Sequence, residues 1–178
     1  MNGIPDFKAM LVDSSRAIGD MVAERVGDNP GYYAEILRLA FSPDPQIAAR
    51  AGRVAILCAE KSPELLRPHL KNIIKQLPQM KTPGTSRCLL NLILNGPEIE
   101  DEGLLGSLVN ICFENIMSGK ETAAVKVYST EILYSISCRE PGIKYELIAV
   151  IEDQLEKNTP AFKNVGQKLL SKLYKETG

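Results

Sequence analysis

Four helix starts recur along this chain at nearly constant spacing, and that recurrence limits its fold more than any other feature. They are Asp44-Pro45-Gln46-Ile47, Thr82-Pro83-Gly84-Thr85, Thr122-Ala123-Ala124-Val125 and Thr159-Pro160-Ala161-Phe162. Each opens with an Asp or Thr whose side-chain oxygen can accept from a backbone N–H that has no partner inside the helix. Three of the four continue with Pro at the first helical position, where a missing N–H costs nothing. The fourth residue begins an apolar stripe, weakly in the case of Thr85. The starts are 38, 40 and 37 residues apart. The apolar phase repeats with them: Ala51, Leu89, Ser129 and Gly166 come four residues later, and Ala55, Ile93, Leu133 and Leu170 four residues after that. Small residues at several of these positions allow helices to approach closely. A unit of two helices repeating near 40 residues is the expectation.

The rest of the chain fits that frame. Helical periodicity runs along its whole length, and the alternation that marks strands is missing. Phe7, Met10, Leu11, Ile18, Met21 and Val22 form one stripe; Leu65, Leu66, Leu70, Ile73, Ile74 and Leu77 form another. Pro, Gly and Asn clusters such as Gly27-Asp28-Asn29-Pro30, Asn95-Gly96-Pro97 and Glu140-Pro141-Gly142 stop and restart helices. The predicted order is a lone helix over 6–26, then four antiparallel hairpins over about 29–61, 63–95, 100–139 and 141–175. This gives about nine helices in a single domain over 1–178. A chain of 178 residues can bury roughly 70% of its unfolded surface without metals or disulfides.

The run Asp-Pro-x-Val-Arg-x-x-Ala, with Leu four residues on, resembles the second helix of a HEAT repeat. Here it reads Asp44-Pro45-Gln46-Ile47-Ala48-Ala49-Arg50-Ala51 and Thr159-Pro160-Ala161-Phe162-Lys163-Asn164-Val165-Gly166. The third unit keeps Val125-Lys126 and Ser129, and the second is degenerate. Ala48 and Ser86 stand where the family carries a basic residue, which Lys126 and Lys163 retain. The resemblance implies an all-α superhelix of the HEAT or armadillo kind, with successive second helices lining a concave surface. It says little about activity, because such arrays host many functions.

Little catalytic chemistry is visible. His69, the only histidine, sits among Arg67, Lys71 and Asn72, and any Ser–His–Asp or Cys–His arrangement would have to use it. No HExxH, phosphate-loop lysine motif or GxGxxG is present, and Gly103 and Gly106 are isolated. Cys58, Cys88, Cys112 and Cys138 lie inside apolar helical patterns, not at zinc-ligand spacing, and read as buried reduced thiols. Glu98, Glu100, Asp101 and Glu102 read as acids favoured at a helix start. No cofactor, no metal and no catalytic residue are expected.

A net charge of −1 gives no global attraction to nucleic acid or anionic membrane. The opening residues Met1 to Phe7 lack a basic segment followed by an apolar one, and the densest apolar stretch, near Cys88–Leu94, is too short to span a bilayer. A soluble cytoplasmic monomer is expected. Charge is nonetheless uneven: Lys61, Arg67, Lys71, Lys75, Lys81 and Arg87 face Glu64 alone over 61–90, and the last helix is rich in lysine, which reads as an end cap. On the second helices, Arg50, Arg53, Arg87, Lys126 and Lys163 could form a positive stripe, with Tyr134 as an outward anchor. The other reading of these cations is a solvated face paired with acids such as Glu131. The function expected is a non-enzymatic protein-interaction or scaffolding module taking another protein or an acidic peptide. A DNA-glycosylase-like nucleic-acid binder and a lyase-type helper subunit are the alternatives.

Overall fold

Side-chain caps set where most of the helices begin. A computed structural model describes residues 3–80 and 82–178. Met1 and Asn2 of the N-terminal reading, and Lys81 of the basic run, lie outside them. Among the described residues there are ten α-helices: α1 Phe7–Met10, α2 Arg16–Val26, α3 Pro30–Ala40, α4 Pro45–Lys61, α5 Leu70–Gln76, α6 Pro83–Leu94, α7 Glu102–Met117, α8 Ala123–Ser137, α9 Lys144–Leu155 and α10 Pro160–Thr177. Asp44 accepts from the N–H groups of Gln46 and Ile47, Thr122 from Val125 and Thr159 from Phe162. Asn29 and Asp101 cap α3 and α7 in the same way.

Three details depart from the sequence expectation. Thr82 makes no capping bond to α6; its hydroxyl points to Thr85 and donates to Oγ1 there at 2.7 Å. The helix expected over 6–26 is two helices: Asp13 Oδ1 accepts from the Ser15 N–H at 2.7 Å, and Ser15 then caps a new start at Arg16. The helix expected over 63–77 begins as two 3₁₀ turns, Pro63–Leu65 and Arg67–His69, and turns α-helical only at α5. Pro68 is the cause: it has no N–H to offer Glu64, and its ring clashes with that carbonyl.

The chain falls into two compact units, Met1–Ile99 and Glu100–Gly178. In the first, α3 pairs with α4, and α2 and α6 also pack against α4. Tyr33, Ile36, Ala51, Val54, Ala55, Leu66, Ile73, Leu89 and Leu90 are fully buried there. In the second unit, α7 pairs with α8 and α9 with α10, and the second helices α8 and α10 pack together. Its core holds Leu108, Cys112, Ile116, Val125, Leu133, Leu147, Ile151, Phe162 and Leu173. The small residues at the repeat's close-approach position are all buried: Ala51, Ser129 and Gly166. A Cβ on Gly166 would meet Leu155 Cδ2 at 2.9 Å and Ile151 Cγ2 at 3.1 Å, so α10 lies tight against α9 there.

Candidate partner-binding surface

The second helix of each repeat presents cations, but the fold uses most of them internally. In the first unit, α4 directs Arg50 and Arg53 toward the loop between α1 and α2. Arg50 Nη1 donates to the Leu11 carbonyl at 2.8 Å, and Arg53 Nη1 to the Ser14 carbonyl at 3.3 Å. Both bonds span 39 residues, about one repeat. They satisfy carbonyls in the break that splits the expected first helix. Arg50 Nε is buried without a partner. Arg87, on α6, is exposed and makes no ion pair among the described residues.

In the second unit Lys126 is only 5% exposed. Its Nζ donates to Asn158 Oδ1 at 2.8 Å, and Asn158 Nδ2 in turn donates to the Gln154 carbonyl. Burial pushes the Lys126 ammonium pKa down, and nearby Glu121 opposes that shift. Lys163 pairs with Glu156 at 2.7 Å. The internal partners of these two lysines are therefore Asn158 and Glu156, not Glu131.

Tyr134 is half-buried, and its hydroxyl donates to Glu176 Oε1 at 2.7 Å. The accepting carboxylate favours the protonated phenol and pushes its pKa up to about 12. Glu176 also pairs with Lys144 at 2.9 Å, so α8, α9 and α10 meet at one polar clasp. Lys172 Nζ stands 5.2 Å from the centre of the Tyr134 ring, within reach of a cation–π attraction.

Sequence reasoning assigned the lysines of α10 to an end cap. Lys168, Lys172 and Lys175 are exposed, and their i, i+4, i+7 spacing puts them on one face of the helix. None of the three has an ion pair among the described residues. That spacing was the available signal, and at 3.6 residues per turn it puts the three lysines on a different face of α10 from Lys163.

The remaining chemistry-bearing residues have structural surroundings. His69 is half-buried with its ring 5.8 Å from that of Tyr33, edge to face, and burial lowers its pKa. All four cysteines are free thiols; Cys58 and Cys112 are buried, with pKa values pushed up to about 11 and about 12 by desolvation. Cys138 is exposed, against the expectation of burial, because it falls at the end of α8 where the apolar stripe runs out. Among the described residues no three His, Cys, Asp or Glu side chains gather as a metal site, and no helix is long and apolar enough to cross a membrane.

The decisive comparison concerns the repeat itself. Residues 9–173 match the family model described as HEAT repeat domain. The chain belongs to that family. No curated protein and no solved structure gives a match. Membership accounts for the capped second helices, the buried small residues on them and the stacking of α8 on α10. HEAT repeats are helical repeats often used in protein interaction, and the family by itself does not specify a partner.

Proposed function

We propose that this HEAT-repeat chain is a non-enzymatic protein-interaction module, and that the α8–α10 face of its second unit takes an acidic segment of a partner protein. One observation carries the reading: three aligned lysines of α10, Lys168, Lys172 and Lys175, have no ion pair among the described residues, and the middle one stands over a half-buried tyrosine whose hydroxyl donates to Glu176. Cations outside any salt bridge attract a complementary charge without first breaking one. A fixed aromatic ring adds contact area at low entropic cost. Arg50, Arg53, Lys126 and Lys163 then serve the fold first, because each already donates to a backbone or side-chain acceptor within its own unit.

The test is a titration with a labelled poly-glutamate peptide, with a DNA duplex as a second anionic probe. The wild type should bind the peptide, and replacing Lys168, Lys172 and Lys175 by Glu should weaken it at least about tenfold. Equal affinity in the charge-reversed variant would remove this face from the account. Preference for the duplex, with the steep loss on added salt that phosphate contacts bring, would replace a protein partner by nucleic acid.

A further inference from the structure

The second unit carries another open feature on a different set of elements. The first half of α7 and the C-terminal end of α8 border a groove of about 480 Å³. Its apolar lining comes from Leu105, Val109, Ile136 and Ile143, and Glu102 and Glu140 stand at its edges. Helix α7 holds more apolar side chains than it fully buries: Leu108, Cys112, Phe113 and Ile116 face the core, while Leu104, Leu105 and Val109 stay half-exposed. Glu102, Leu105, Gly106 and Val109 follow i, i+3, i+4, i+7, one stripe about 10 Å long.

Gly106 is the informative position. It lies inside α7, where glycine is less favourable than alanine, yet nothing comes within 4 Å of where its Cβ would be. Packing inside this unit therefore gives no reason for a bare backbone, whereas close approach of a second backbone along the groove does. The rim supplies the charge preference. Glu102 and Glu140 are exposed and make no ion pair among the described residues. Of the neighbouring cations, Lys144 is committed to Glu176, and Arg139 has an interaction of its own.

We propose that this groove docks a short amphipathic helix of basic character. Its apolar residues at i, i+3/i+4 and i+7 sit between α7 and Ile143, and its Lys or Arg side chains lie over Glu102 and Glu140. This is the helix-in-groove mode of recognition, with an acidic rim selecting the sign of the partner. It uses none of the α10 lysines, so it stands independently of the acidic-partner face.

The probe is a fluorescein-labelled Leu/Lys peptide of amphipathic spacing, about three turns long, with its Leu/Glu counterpart as control, followed by anisotropy. The wild type binds the Leu/Lys peptide and not the control. Glu102→Gln with Glu140→Gln weakens binding about fivefold. Gly106→Leu abolishes it while the urea midpoint holds or rises, since the added side chain enters open space. Both carboxylates are exposed, so their removal reads the site even where Gly106→Leu perturbs folding. Absence of Leu/Lys binding, equal binding of the Leu/Glu control, or affinity unchanged in Glu102→Gln/Glu140→Gln overturns the proposal.

Discussion

At the residue scale, glycines record where backbones meet. Gly96 follows α6, and a Cβ there would come within 2.5 Å of the Leu92 carbonyl oxygen and 2.7 Å of Leu66 Cδ2. The first of these is backbone and cannot rotate away. Gly96→Ala is therefore expected to destabilise the chain by about 1–3 kcal/mol, the usual cost of forcing extra volume into a packed site. A lower urea midpoint with unchanged slope would bear this out; an unchanged or higher midpoint would not. Single residues were also where the sequence was least legible. Thr82 has the composition of a cap, but whether its hydroxyl turns to a backbone N–H or to Thr85 depends on rotamers that no spacing encodes. Arg50 and Lys126 look alike as basic positions on second helices. Their acceptors, Leu11 and Asn158, lie 39 residues back and 32 residues ahead, in loops whose path only the fold sets.

At the element scale, α10 is held at its end by polar contacts as well as by apolar burial. Glu176 accepts from Tyr134 and pairs with Lys144, and Tyr174 reaches Glu152. Lys144 first, then the Tyr134 hydroxyl, hold the Glu176 carboxyl below its ordinary 4.5. A carboxyl depressed in the folded state contributes stability that is complete above its unfolded value and fades as the pH falls through the folded one. Protection of the last-turn amides of α10 against hydrogen exchange should therefore drop as the pH goes from about 5 to about 3. Glu176→Gln should start lower and respond less. Equal protection of wild type and variant across that range would show that the clasp does not hold the helix. Helix boundaries were legible wherever a capping oxygen preceded an apolar stripe, as at Asp44, Thr122 and Thr159. They were not legible where local bonding competes with helix continuation: the Asp13–Ser15 turn interrupts a stripe that reads as unbroken, and Pro68 turns the first part of the expected helix over 63–77 into 3₁₀ turns and delays α5 to Leu70.

At the scale of the molecule, the repeat was the most legible property, since a period near 40 residues and a shared apolar phase follow from stacking one helical hairpin on the next. Membership in the HEAT repeat domain family agrees with it. Surface roles were harder to read because a cation's sequence position does not say whether the fold has already used its charge. The inner positions Lys126 and Lys163 are engaged, whereas the α10 lysines assigned to a cap have no ion-pair partner among the described residues. The account thus rests on one face being open for an acidic segment. Amide chemical-shift mapping with the poly-glutamate peptide tests it most directly. The account predicts perturbations concentrated on α10 around Lys168, Lys172 and Lys175 and on α8 around Tyr134; shifts centred on other helices, or none at saturating peptide, would contradict it.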